Sequence, residues 1–329
     1  MAPAARPGSV LAPRRPIGLT HAMRASAIVV THQSSEHIGA CLEALEADGD
    51  DQLEIIVVDN RSSDGTAGQV RERFPAVTLR VTHRNVGYGA AANIGIGLAT
   101  GDPILVLNAD VVVERGTLAA LRARLDADAG LGCVSPVHVG ADSVSQSPAR
   151  AFPSIGAALV DGTMLERWLR RSAVLRSYYR DAARPDAPPD WLDGACLAFR
   201  TRALREVGGF DSGYFMYSEE LDLHRALRRA GWACAIEERA RVRHVGGASA
   251  GRDVVARERN FFRSRYRLAG KMWGRPFAVF LRVFVAVVNL VRLAEQLVRL
   301  LLGRDAPSPR VEANRIARVT LWQWFGWRR

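Results

Sequence analysis

The first hundred residues of ordered pattern repeat one unit, an apolar run followed by a helical periodicity. Ala25–Thr31 (ASAIVVT) is a β-branched run of the kind buried on both faces of a sheet. Ile38, Cys41, Leu42 and Leu45 then recur at helical spacing within Glu36–Ala47 and predict an amphipathic helix. Leu53–Val58 (LEIIVV) predicts a second buried strand, which runs into the polar loop Asp59–Thr66 and another helix. Val77–Thr82 predicts a third strand, Ala90–Ala99 a helix, and Pro103–Leu107 a fourth strand that ends at Asn108-Ala109-Asp110. This alternation predicts an α/β fold in which polar residues gather at the carboxyl ends of the strands, where open sheets of this class bind ligands.

The pattern then loosens. Between Gly140 and Asp190, Pro148, Pro153, Pro185, Pro188 and Pro189 interrupt any long periodicity, so long substrate-facing loops around short helices are expected. Trp191–Arg200 reads as one strand-like run, and Leu221–Gly231 as a helix closed by glycine. Pro276–Leu302 is almost continuously apolar, yet Arg282, Arg292, Glu295 and Arg299 interrupt it too often for a comfortable transmembrane span. With Asn289 and Gln296 these residues fall within an arc of roughly 140°, the pattern of a helix lying in a membrane interface. A helix seated on the catalytic body or on a second subunit is the alternative. Trp322, Trp324 and Trp327 beside Arg328 and Arg329 offer a second interfacial anchor.

Composition bears on partners. The 329 residues are 48% apolar and 24% charged, ordinary for a globular protein, and the net charge of +11 first suggests nucleic acid. The excess is local, however. From Gly251 onward there are 17 Lys/Arg against 5 Asp/Glu, about +12, whereas Ala25–Ala250 is near −5. An acidic body with a basic, apolar tail excludes a phosphate-tracking nucleic-acid binder and points to an anionic membrane surface. The first 24 residues, rich in Ala, Pro and Arg, lack a signal-peptide core and read as a disordered leader, with Met23 a possible start. The four cysteines are widely spaced, which suggests reduced thiols in a cytoplasmic setting.

Four clusters could carry chemistry. Thr31 with Asp59-Asn60 could hold a base or ribose hydroxyls, although Asp-Asn after a strand is commonly a turn. Asn85-Val86-Gly87-Tyr88-Gly89 through Asn93 is a small-residue loop entering a helix, either a tight turn or a close backbone approach to a nucleotide. Asn108-Ala109-Asp110 places a carboxylate where it and donor phosphates could share a Mg²⁺ or Mn²⁺. Glu219, Glu220 and Asp222 open a helix between aromatic flanks. They either complement the helix dipole or provide a general base of raised pKa. His244, downstream of them before Gly246-Gly247, is a candidate metal or phosphate ligand.

In order and spacing, IVVTHQS, VVDNRSSDGT, NVGYGAAANIGI, VLNADVVV, WLDGACLAFR, VGGFDSGYFMYSEELDLHRALRRAGW and RVRHVGGAS resemble the inverting family 2 glycosyltransferases, over roughly Ser26 to Asp253. The resemblance implies a GT-A type, Rossmann-like nucleotide-diphospho-sugar transferase domain over residues 25–250. A basic, helical, membrane-associating extension over residues 251–329 would follow it. Within the family the likeness is to bacterial cell-wall and O-antigen rhamnosyltransferases, which have YFMY-E-[ED]-x-D-L and S-x-GRD-like segments; here the latter is Ser249–Asp253. This implies dTDP-L-rhamnose as donor and a polyprenyl-diphosphate-linked or polysaccharide acceptor. It also implies that Asp110 and His244 hold the divalent cation and that Thr31, Asp59, Asn60, Asn85, Gly87, Asn93, Asn108 and Asp193 contact the nucleotide sugar. Glu220 is the implied base, with Glu219 and Asp222 beside it. Many relatives have Asp where Asn108 and Glu220 stand.

The rival readings are another donor (a UDP-hexose, UDP-galactofuranose or another dTDP-deoxysugar), a sugar-1-phosphate nucleotidyltransferase, or a non-catalytic scaffold for envelope assembly. The nucleotidyltransferase would need a Gly-rich basic loop after the first strand, which THQSSEH does not supply.

Overall fold

Four parallel strands form one half of a mixed sheet: β1 (Ala25–Thr31), β2 (Leu53–Asp59), β3 (Thr78–Val81) and β4 (Ile104–Asn108), in the order β3-β2-β1-β4. Helices α1 (Ile38–Asp48), α2 (Thr66–Arg73) and α3 (Tyr88–Leu98) make the crossovers. The computed structural model describes residues 25–49, 52–140, 144–179, 188–244, 253–302 and 309–325. The expected leader, most of the Ser249–Asp253 segment and Trp327–Arg329 lie outside the described residues. The β-branched run of β1 is buried on both faces as its composition requires. Ala27 and Val29 face a cluster with Ile38, Leu42 and Leu121, while Ile28 and Val30 face one with Ala91, Ala92 and Phe199.

The remaining elements close the sheet around its ligand-binding edge. They run β5 (Val111–Val113), α4 (Thr117–Ala127), β6 (Leu131–Val139), β7 (Ser145–Gln146), β8 (Ala149–Arg150), α5 (Ile155–Val160), α6 (Glu166–Leu169) and α7 (Ala173–Tyr179). Then follow β9 (Trp191–Leu192), β10 (Cys196–Phe199), α8 (Thr201–Glu206), α9 (Glu219–Arg229) and β11 (Ala233–His244). The sheet continues β4-β10-β6-β11-β5, with β10 antiparallel to β4 and β6, and β11 parallel to β6 but antiparallel to β5. The run expected as one strand over Trp191–Arg200 is instead two short strands. Asp193-Gly194 turns the chain between them, and β9 leaves the main sheet to pair with β8.

Three C-terminal helices, α10 (Val254–Trp273), α11 (Arg275–Leu301) and α12 (Pro309–Phe325), form their own apolar cluster through Phe262, Tyr266, Leu281, Val285 and Val319. The polar arc expected on α11 is present, and much of it is turned inward rather than toward water. Arg282 Nε donates to the Gln323 carbonyl (2.6 Å), Asn289 Nδ2 to Gln323 Oε1 (3.3 Å), and Arg292 pairs with Glu312 of α12. Glu295 pairs with Arg167 (2.8 Å). The outward face is apolar: Phe280 is 52% exposed, Val287 48% and Val291 56%.

Candidate active site

The strand register levels three polar ends. Thr31 lies opposite Asp59, and Val30 opposite Asn108, so β1, β2 and β4 terminate side by side. Asn60 then folds the next loop beneath this edge. Its Nδ2 donates to Asn85 Oδ1 (2.9 Å) and the Gly87 carbonyl (3.2 Å), and its Oδ1 accepts from the Val86 amide (2.8 Å). Asp59 Oδ1 accepts from the Ser62 amide (2.8 Å). Its Oδ2 is buried without a partner, as are Thr31 Oγ1 and His32 Nδ1. Buried polar atoms are nearly always satisfied, so three orphans at adjoining strand ends mark where a polar ligand belongs.

Gly87 adopts φ 89°, and a Cβ there would run into the carbonyl of Phe215, the group that accepts from the Tyr88 amide at 2.9 Å. Close approach to the Phe215 backbone is what this glycine provides here. Asn93 brackets Phe210 instead of facing the ligand edge: Nδ2 donates to the Phe210 carbonyl (2.7 Å), and Oδ1 accepts from its amide (2.9 Å).

Asp110 follows β4 in a tight turn into β5, and His244 ends β11 opposite Val111. This pairing brings His244 Nε2 to 3.4 Å from Asp110 Oδ1. Burial alone would raise the Asp110 carboxyl, but the hydrogen bond and charge of His244 outweigh it and hold the carboxyl below its ordinary value. His138 of β6 stands edge-on to His244, with ring centroids 6.4 Å apart, and burial pushes it down to about 4, leaving a neutral imidazole. Asp193, in the β9–β10 turn, pairs with Arg150 at 2.7 Å; burial nonetheless raises it to about 6.

The carboxylates at the start of α9 are aimed by an unusual approach. Tyr217 (φ 71°) and Ser218 (φ 66°) are consecutive non-glycine residues in the left-handed region, immediately before Glu219 and Glu220. Glu219 is 5% exposed, and its Oε2 lacks a partner. Burial and the neighbouring Glu220 raise it well above the usual carboxylate range. Burial raises Glu220 to about 7, with Asp193 adding to the effect. The Glu220 side chain lies against Gly194, where a Cβ would sit 3.5 Å from its Cγ.

Most of these groups share one cavity of about 500 Å³, although Asp59, Gly87 and Asn93 are not in its lining. Its wall includes Thr31, Asn60, Asn85, Asn108, Asp110, Asp193, Glu219, Glu220 and His244. Among the described residues that line it there is no Lys or Arg, so an anionic diphosphate would meet four carboxylates and no fixed cation. No group of three or more His, Cys, Asp or Glu among the described residues could hold a metal unaided. The Asp110–His244 pair fits a divalent ion that takes its other ligands from phosphate oxygens and water.

Asp222 does not line the cavity. It is turned to the other side of α9, where it pairs with Lys271 of α10 and with Arg225 (3.7 Å), and its grouping with Glu219 and Glu220 is not carried forward. His32 and His138 line the cavity and Arg150 pairs with one of its carboxylates, Asp193; sequence reasoning passed over all three. No spacing distinguishes His138 and Arg150, because they arrive through the strand pairing of β6 and β8, whereas His32 directly follows β1.

The residues from 26 to 208 match the family model described as Glycosyl transferase family 2. The chain is 31% identical over 251 residues to the N-acetylglucosaminyl-diphospho-decaprenol L-rhamnosyltransferase of Mycobacterium tuberculosis, covering 73% of this chain and 81% of the relative. It is 26% identical over 212 residues to the rhamnosyltransferase WbbL of Escherichia coli, covering 62% and 76%. Among solved structures, a mannosyltransferase of Pyrobaculum calidifontis, in complex with GDP-Man and Mn²⁺, superposes with a TM-score of 0.51 at 18% identity, covering 92% of this chain and 88% of that one. That likeness shows a shared fold.

Proposed function

The chain belongs to glycosyl transferase family 2, and we propose that it transfers L-rhamnose from dTDP-L-rhamnose, with inversion, to a polyprenyl-diphosphate-linked saccharide. The observation that carries this reading is the meeting of two raised carboxylates, Glu219 and Glu220, with the Asp110–His244 pair in one cavity. Rhamnosyl transfer is supported by both relatives named above, and the lipid-linked acceptor by the mycobacterial one.

The nucleoside end of the donor satisfies the orphaned Thr31, His32 and Asp59 atoms, and Asn60 holds the Asn85–Gly87 loop beside them. Asp110 and His244 would hold a divalent cation, Mn²⁺ or Mg²⁺, whose charge would neutralise the diphosphate where the described lining residues include no Lys or Arg. Glu220 accepts the proton of the acceptor hydroxyl as the oxygen bonds to the anomeric carbon. The bond from that carbon to the phosphate oxygen breaks on the opposite face, and its electron pair leaves with the diphosphate. A carboxyl at about 7 is matched to this task, because it is basic enough to take the proton and still ionised over much of the working range. Glu219, more deeply buried, is held in its protonated form by that burial and by the charge of its neighbour Glu220.

We place residues 25–250 as the catalytic unit and residues 251–329 as the part that meets the cytoplasmic face of the membrane. Among the described residues one helix, α11, is long and apolar enough to cross a membrane. Its exposed Phe280, Val287 and Val291, with the basic charge of the tail, fit an anionic bilayer surface. A panel of dTDP-, UDP- and GDP-sugars, screened by thermal shift with Mn²⁺ and then by turnover, tests the donor. The largest shift is expected with dTDP-L-rhamnose; a larger shift with a UDP- or GDP-sugar contradicts the assignment.

A further inference from the structure

The two residues ahead of Glu219 are the only consecutive non-glycine residues in the left-handed region among the described residues, and the elements holding them come from opposite ends of the sequence. On one side the Tyr88 amide at the start of α3 donates to the Phe215 carbonyl (2.9 Å). On the other, Ser264 of α10 donates its hydroxyl to the Met216 carbonyl (2.7 Å). Ser264 is 3% exposed. One turn earlier on the same helix, Phe261 meets the Tyr217 ring edge-on, with centroids 5.9 Å apart. Ser218, the residue that caps α9, makes no side-chain cap of its own. A non-glycine pair at φ near +70° persists only where surrounding contacts over-determine it. Here those contacts belong largely to α10.

We infer that Ser264 is a positioning residue for the Glu219–Glu220 pair, and that α10 is thereby a working part of the active site rather than only the root of a membrane anchor. This rests on the reading of Glu220 as the base. The hydroxyl fixes the Met216 carbonyl, the fixed carbonyl holds Tyr217 and Ser218 in the left-handed region, and that turn directs both carboxyls into the cavity. With the hydroxyl removed, the turn can relax toward ordinary dihedrals, and the carboxyls gain access to water. Burial is the largest cause of the raised Glu220 proton affinity, so a wetter setting lowers it.

The test uses the full chain and the sugar nucleotide giving the wild type its largest thermal shift with Mn²⁺. Release of nucleoside diphosphate is followed from about pH 5 to pH 9, where the wild-type acidic limb reports ionisation of the base. Ser264→Ala is expected to move that limb to lower pH and to reduce kcat about tenfold, with the donor KM within about twofold. Ser264→Thr, which keeps the hydroxyl, is expected to hold the wild-type limb. A merely structural serine would lower Tm and leave the limb in place. A limb at the wild-type position in Ser264→Ala, whatever happens to Tm, overturns the inference, as does an equal displacement in Ser264→Thr. Phe261→Leu, which removes the ring contact to Tyr217, is the second variant should Ser264→Ala fail to fold, and it is read by the same shift. Glu220→Gln in the same assay separates the two readings. Persistent turnover there means that the base assignment has failed, whereas an inactive Glu220→Gln beside an unmoved Ser264→Ala limb means that only the positioning role has.

Discussion

His244 Nε2 lies 3.4 Å from Asp110 Oδ1, although one residue follows the fourth strand of the chain and the other ends the last. The antiparallel pairing of β11 with β5 alone brings them together, placing His244 opposite Val111. The pair stands at a cavity wall without Lys or Arg among its described residues, where a diphosphate needs an added positive charge.

Asp110→Asn is therefore expected to abolish the Mn²⁺-dependent part of the thermal shift given by a sugar nucleotide, while the metal-free shift remains. Donor titrations with Mn²⁺ and with EDTA check this. An undiminished Mn²⁺ effect would remove Asp110 from the cation site.

Glu219 should cost the folded protein stability at neutral and alkaline pH. Burial raises its carboxyl well above the ordinary 4.5. Its contribution is thus fully present below the unfolded value and is lost as pH rises through the folded one. Glu219→Gln should stabilise the protein by about 1–3 kcal/mol near pH 8, with the gain fading below about pH 4.5. Denaturant unfolding at the two pH values checks the sign, and a destabilised variant at pH 8 contradicts it.

Gly87→Ala should destabilise by about 1–3 kcal/mol, because an alanine at φ 89° is strained and its Cβ meets the Phe215 carbonyl. It should also slow turnover, since Phe215 leads into the turn that aims Glu219. A Tm within about one degree of wild type would show that the loop has room to move.

Much of this arrangement was legible in the chain because buried parallel strands leave a blunt signature. The runs at Ala25–Thr31, Leu53–Val58 and Pro103–Leu107 are strands within a residue or two, and polar residues at their ends face one cavity. What a linear pattern could not convey was direction. Glu219, Glu220 and Asp222 read as one acidic cluster, yet Asp222 lies roughly 200° around the helix from Glu220, and the pairing with Lys271, which no pattern within α9 announces, holds it away from the cavity. The polar arc of α11 was read correctly as an arc, but the partner that covers much of it, α12, could not be foreseen from periodicity in α11. His138 and Arg150 gave no signal at all, because their places depend on which strands pair.

The outward face of α11 predicts how the protein partitions. Phe280→Asp, Val287→Asp and Val291→Asp, introduced together at exposed positions, should shift the protein from the membrane to the soluble fraction with little loss of Tm. Fractionation beside a thermal melt checks both halves. Unchanged partitioning would place the contact elsewhere.

The most direct test of the account is the turnover of Glu220→Gln at constant donor occupancy. Gln keeps the size of the side chain and removes its ability to accept a proton. Donor affinity measured with Mn²⁺ should stay within about threefold of wild type, while kcat falls by about 10²–10⁴. A variant that binds donor normally and turns over at a near-normal rate would contradict the assignment of Glu220 as the base.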